Sequence, residues 1–213
     1  LPMFHEPIEV PAEEVDYRQA VEVIEDYKPL DIQAGAMILA LCRGIRRRYP
    51  DWRYLIDGDG GDENLKAYPI EDNPELTIRS VLSNRMLYHE GWGVESIKHS
   101  LTYSGGLSRG YARTFAPLMQ CGFDGFSPYT SPAVIEVAEG IPFVELTDWD
   151  HQRLYDLKGQ VVARGVEAIT GITMPVFEKR RFQHGAVDSR RFADRFPKRD
   201  ADYREAFHAV FGP

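Results

Sequence analysis

The stretch WRYLIDGDGGDENLKAY, Trp52 to Tyr68, decides how the rest of the chain is read. Trp52 to Asp57 is rich in aromatic and branched apolar residues, which predicts a short buried strand. From Asp57 to Glu63 the chain then holds four carboxylates and three glycines in seven residues. Aspartate and glycine are turn formers, so one reading is a solvated acidic turn. The other is a cradle for something positive. An EF-hand calcium loop needs oxygen ligands at positions 1, 3 and 5, glycine at 6 and glutamate at 12. Counting from Asp57, those last three positions hold Gly61, Asp62 and Tyr68, so the calcium register fails. Magnesium asks for less: one or two carboxylates, with phosphate oxygens and water completing its shell. Backbone amides of a glycine loop can hold the phosphate itself.

Outward from this stretch, helices dominate. Pro11 followed by acidic residues suits a helix start, and Val15, Val21, Val23, Ile24 and Tyr27 mark an apolar stripe up to Pro29. A second helix is predicted from Ile32 to Tyr49. Its AGAMILALCRGI segment is apolar nearly all round, which implies burial on several sides, and Arg46, Arg47 and Arg48 complement the negative end of its dipole. Downstream, helices are predicted over Pro74–Glu90, Ser108–Cys121, Pro132–Glu139, Asp150–Thr170, Asp188–Phe196 and Asp202–Phe211, with GFDGFSPYTSP and GIPFVELTDWD as loops. Helix, strand and glycine-rich loop form one α/β unit, and such folds bind ligands beyond the carboxyl ends of their strands. One strand among many helices reads as the back half of an α/β domain.

Bulk properties narrow the classes. The 213 residues suit one large domain, and 43% hydrophobic residues supply a core without staples. A net charge of −8 argues against a general nucleic-acid or anionic-membrane binder. Two cysteines, Cys42 and Cys121, exclude a cysteine metal cluster or a disulfide framework and fit a reducing, cytoplasmic setting. No apolar run reaches bilayer-spanning length. The six histidines show no zinc-ligand spacing, and no GxSxG elbow occurs. Tyr103, Tyr111 and Arg113 are candidates for a substrate cleft, with core or surface the plainer reading of each.

DGDGGDENLKAYP resembles the SGxGxDExxxGY loop in the synthetase domain of the asparagine synthetase family, which includes the β-lactam and carbapenam synthetases. Two further stretches agree in order. Arg113 to Pro142 resembles the family segment GxExRxPFLDxxxxxxAxxxP, keeping the spacing of Gly122, Pro128, Tyr129, Val137 and Pro142. MPVFEKRRFQHGA resembles the KxxFxxG loop, through Lys179, Phe182 and Gly185. Departures are Asp57 for a serine, Asp124 for a glutamate and Phe126 for an arginine.

The resemblance implies an α/β fold: the back half of an adenine-nucleotide α-hydrolase-like (PP-loop) synthetase domain, mostly helical with few parallel strands. It implies residues 1–213 as a single domain, the carboxyl-terminal part of a larger synthetase domain. The family's SGGxDS ATP loop has no counterpart before Tyr54; SGGLSRG, Ser104 to Gly110, echoes it in the wrong place. An upstream segment or partner chain bearing that loop is therefore expected, with a glutaminase domain as a further candidate part of it. Leu1 in place of a methionine fits a separated back half. The implied cofactors are ATP and Mg2+, and the implied activity is ATP-dependent amide-bond formation through an acyl-adenylate, from a small-molecule or peptide carboxylate and an amine donor. Asp62 and Glu63 would hold the metal. Gly58, Gly60, Gly61 and Lys179 would meet the nucleotide, and Lys179, Asp59 and Glu63 would act in catalysis. The alternative is a non-catalytic scaffold or regulatory subunit that keeps the fold.

Overall fold

A computed structural model describes residues 6–66, 77–83, 111–175 and 189–212. In chain order the helices are α1 (Tyr17–Ile24), α2 (Pro29–Arg48), α3 (Gly61–Leu65), α4 (Ile78–Ser83), α5 (Ala116–Gln120), α6 (Pro132–Glu139), α7 (Phe143–Thr147), α8 (His151–Thr170), α9 (Ser189–Ala193) and α10 (Asp200–Phe211). The strands are β1 (Tyr54–Ile56) and β2 (Asp124–Phe126). A π-helical turn, Tyr111–Phe115, leads into α5, and 3-10 turns cover Ala12–Glu14 and Pro128–Thr130. The described residues fall into two compact units. One holds residues 6–57, 111–126 and 189–212; the other holds residues 58–66, 77–83 and 127–175.

The first unit is built on α1 and α2. The Asp16 carboxylate caps α1 by accepting from the Arg18 amide at 2.9 Å. Pro29 opens α2, where its missing N–H is not needed. Val15, Ala20, Val21, Ile24, Ile32, Ala36, Ala40, Phe192, Phe196 and Tyr203 form one buried cluster. Gly35 allows the close approach of the two helices: a Cβ there would lie 2.5 Å from Ile24 Cδ1. The burial expected of α2 on several sides is met by Ile32, Ala36, Leu39, Ala40 and Cys42. Buried Asp31, in its first turn, has the Arg113 guanidinium at 3.9 Å. Before α1, Glu14 forms a bidentate pair with Arg47, and Glu6 accepts from Arg48 and Tyr49.

β1 and β2 pair in parallel, with Tyr54, Leu55 and Ile56 opposite Asp124, Gly125 and Phe126. β2 lies inside a segment that the sequence predicts as loop, because Asp-Gly-Phe lacks the branched residues that signal a strand. Its glycine is required by packing. A Cβ at Gly125 would meet Leu118 Cδ2 at 2.6 Å, the Leu55 carbonyl oxygen at 2.8 Å and Phe115 Cε1 at 3.2 Å. The expectation of a buried strand over Trp52–Asp57 is corrected. The strand is three residues long, and Tyr54 and Ile56 are 61% and 64% exposed, with only Leu55 turned onto the Cys42–Leu118–Phe123 cluster. A strand with one partner and one covered face buries alternate residues, not all of them.

Arg46 ties this sheet to α2. Its guanidinium donates to the carbonyls of Pro50 (2.7 Å), Trp52 (2.7 Å), Cys121 (3.0 Å) and Gly122 (2.7 Å). It also lies 3.7 Å from the centre of the Phe123 ring. One side chain thus fixes the chain entering β1 and the chain entering β2.

The second unit has a smaller buried cluster, Val81, Phe143 and Leu154, with Ile78, Leu82, Ile141 and Leu157 packed on it. Asp150 caps α8 through the Arg153 amide at 2.9 Å, and Gly171 ends it in the left-handed region at φ 70°. α7 is a helical turn within a predicted loop. The Thr147 hydroxyl donates to the Phe143 carbonyl inside it at 2.7 Å. Asp148 and Trp149 then hold left-handed conformations (φ 51° and 60°) that non-glycine residues rarely adopt, and they turn the chain sharply into α8.

Candidate functional site

The acidic stretch forms a tight turn that runs straight into α3. Gly60 sits at φ 90°, a conformation that glycine alone takes without strain. The Gly61 amide donates back to the Gly58 carbonyl at 3.2 Å, and the Asn64 amide to the Gly60 carbonyl at 3.0 Å. These bonds fold what the sequence presents as an open glycine loop into the first turn of a helix. Gly61 lies under the Tyr129 ring, where a Cβ would sit 3.5 Å from Cε2. Among the described residues nothing lies within 4 Å of a Cβ at Gly58.

Polar groups converge from three elements of this unit. Asn64 is 1% exposed, and its Nδ2 donates to the Tyr129 carbonyl at 2.8 Å. That bond fixes the amide's orientation and leaves Oδ1 buried without a hydrogen-bond partner among the described residues. Lys66, 6% exposed and left-handed at φ 55°, closes α3 by donating its amide to the Asp62 carbonyl. A nearly buried lysine is uncommon. Lys158 on α8 brings its Nζ to 4.0 Å from Asp62 Oδ1.

Of the residues singled out in the sequence, Gly58, Asp59, Gly60, Gly61 and Asp62 therefore share one turn, with Asp59 and Asp62 both partly exposed. The side chain of Glu63 lies outside the described residues. So do Lys179, Phe182, Gly185 and the Ser104–Gly110 echo. Arg113 faces Asp31 in the other unit, while Cys121 packs with Cys42 as its apolar context suggests. Burial pushes the Cys42 thiol up to about 12, with Cys121 nearby adding to the effect, so it is not a nucleophile at neutral pH.

The sequence reading passed over Asn64, Lys66 and Lys158. Lys158 carried a signal: it stands one turn beyond buried Leu154 and one turn before Val162, a lone cation in an apolar stripe. Asn64 carried none, since its partner Tyr129 lies 65 positions away in the chain, and nothing local marks Lys66 as buried.

Among the described residues no three or more histidine, cysteine or acidic side chains gather as a metal cage. Among the described side chains the turn's donor set is the Asp59 and Asp62 carboxylates, and that set does not suit a resident structural cation. It does suit magnesium arriving with most of its shell supplied by phosphate and water. Among the described residues no helix is long and apolar enough to cross a membrane. No family model, curated protein or solved structure matches the chain.

Proposed function

We propose that the chain is the carboxyl-terminal part of a PP-loop-type synthetase domain that makes amide bonds at the expense of ATP. The observation that carries this reading is the acidic glycine turn itself: it follows a parallel strand, enters a helix directly and holds an aspartate with a lysine at 4.0 Å. The middle segment and the Lys179 loop follow it in the order of the asparagine synthetase family. Asp62 would hold Mg2+ with Glu63 beside it, and the ion would neutralise phosphate charge. A carboxylate oxygen of the substrate attacks the α-phosphorus of ATP, and pyrophosphate leaves. An amine nitrogen would then attack the acyl carbon, AMP would leave, and the amine proton would pass to a base, the role given to Asp59. Lys179 would stabilise charge on the departing pyrophosphate and on the later oxyanion, an effect strongest where water is excluded. The ATP loop comes from an upstream segment or partner chain.

A second reading, a non-catalytic scaffold that retains the fold, is favoured by one feature. The Gly61 and Asn64 amides are already bonded within the turn and are not on offer to a phosphate. Pyrophosphate release decides between the two. The chain, with any co-purifying partner, is mixed with ATP, Mg2+ and candidate acids. The enzyme reading expects release that Lys179→Ala abolishes without loss of helical signal. Full activity in that variant rejects the role given to Lys179, and no release with the partner present favours the scaffold.

A further inference from the structure

We propose that Cys42 and Cys121, the chain's two cysteines, form a reversible disulfide that locks the entry of β2 to α2. They stand far apart in sequence, and the first unit brings them into one cluster with Leu118 and Phe123. The local bonds set Cys121 beside α2. It follows α5 directly, and its amide donates to the carbonyl of buried Leu118 at 3.0 Å. Its own carbonyl accepts from Arg46 Nε at 3.0 Å, and Arg46 stands one helical turn beyond Cys42, on the same flank of α2. Phe123, two residues on, is 1% exposed in that cluster. Cys42 is buried and Cys121 half-buried. Two thiols held against one core by packed neighbours have little loop-closure entropy left to lose when they join.

The oxidant is a small-molecule disulfide of the glutathione type. Cys121 attacks first. It is the less buried thiol, and although burial raises its pKa, the Arg43 and Arg46 charges pull it back down. Its sulfur bonds to one sulfur of the small disulfide, the S–S bond breaks and one thiolate leaves. Cys42 Sγ then attacks Cys121 Sγ, the mixed disulfide breaks and the second thiolate leaves. The two cysteine protons end on the departing thiolates, and two electrons pass from the protein to the small disulfide. The second step is the slow one, because burial holds the Cys42 proton. The product ties α2 covalently to the chain entering β2, the junction that Arg46 holds through the Cys121 and Gly122 carbonyls. It also closes a long loop, which restricts the unfolded chain. The pair belongs to the first unit and plays no part in the amide-bond reading.

The test is incubation of the full, folded chain with oxidised glutathione at mildly alkaline pH, read by intact mass without reductant. The unaltered chain is expected to lose two hydrogens and keep no adduct, whereas Cys42→Ala stops at a single glutathione adduct on Cys121. A lasting adduct on the unaltered chain, a disulfide between two chains, or no reaction overturns the pairing. Closure that occurs only in urea overturns it too, because the fold would then not bring the thiols together. Once closed, the chain is expected to raise its urea midpoint, followed by helical signal, by about 1 M, and to lose the gain on reduction with dithiothreitol. An unchanged or lowered midpoint overturns the lock. Arg46→Ala should lower the midpoint less in the oxidised chain than in the reduced one. Equal losses in both would show that the disulfide and the guanidinium do not hold the same junction, which also overturns the lock.

Discussion

Each unit is held together internally by its own means. In the first, ten buried residues from α1, α2, α9, α10 and their connections form one cluster. A second cluster under the sheet is locked by the four carbonyl bonds of Arg46. In the second, three buried residues form the described cluster, and α8 runs on past it until Ile169 stands 87% exposed. The candidate site lies in the unit with the smaller buried cluster among the described residues. Local stability varies across proteins, and elements that bind and release ligands are drawn from the weaker end. Among the described residues, the larger buried cluster and the smaller one beside the acidic turn fit that division.

The largest effect that sharpens this contrast is expected at Arg46. Arg46→Ala removes four charge-assisted bonds and a cation–π contact at once. The cost is about 3–4 kcal/mol, using about 1 kcal/mol for each hydrogen bond. Denaturant unfolding followed by tryptophan fluorescence measures it, since Trp52 lies at one of the bonded carbonyls. Arg46→Lys recovers less than half, because an ammonium cannot span four acceptors. A loss under about 1 kcal/mol would show that the sheet does not depend on this side chain.

Next is Leu154→Ala in the second unit, expected to cost about 3 kcal/mol as a large-to-small change at a buried site. Leu154 is one of three buried residues in the described cluster, so much of the local stability is expected to go with it. Amide exchange in α8 should accelerate toward that of an unprotected helix, while α1 and α2 keep their protection. Retained protection in α8 would break the contrast, since the unit would then be held by something other than its described core.

Much of this fold was legible in the sequence because its signals are local. Pro132–Glu139 is helical as predicted, and α2 and α8 differ from expectation by only a few residues at their ends. The apolar run in α2 correctly implied burial on several sides. What failed was non-local. β2 is Asp-Gly-Phe, strand only because β1 pairs with it and Leu118 fills the space a side chain at Gly125 would need. β1 was read as buried because its residues are apolar, yet a single partner strand leaves Tyr54 and Ile56 outward. At the site, the turn itself was legible from glycine and aspartate spacing. The partners Tyr129 and Lys158 were not, because no local pattern links them to Asp62.

A smaller pair of changes tests how tightly the first unit is packed. Gly125→Ala is expected to cost about 2 kcal/mol, because two of the three atoms its Cβ would strike are a backbone oxygen and a buried leucine tip. Gly35→Ala should be nearly neutral. Its main clash is with the tip of Ile24, which can turn away, and the gain in helix propensity is about 1 kcal/mol. Equal costs at the two positions would mean that the helix pair is as unyielding as the sheet.

The smallest effect concerns a charge that the first unit tolerates. Asp26 is part-buried, and burial raises its pKa above the usual carboxylate range, opposed by bonds from the Lys28 and Tyr27 amides and aided by the nearby charge of Asp31. A carboxylate whose pKa is raised on folding binds its proton more tightly in the folded chain. Stability therefore falls as pH rises from the ordinary carboxylate pKa through the folded one, and below both values the penalty is absent. Asp26→Asn keeps an oxygen to accept from both amides and cannot ionise. It should make the chain modestly more stable at pH 7, and the gain should vanish as the pH is lowered below the ordinary carboxylate range. Denaturant midpoints at pH 7 and pH 3 measure the difference. A gain that grows toward low pH, or a loss at pH 7, would show that the two amide bonds to the ionised carboxylate outweigh its burial.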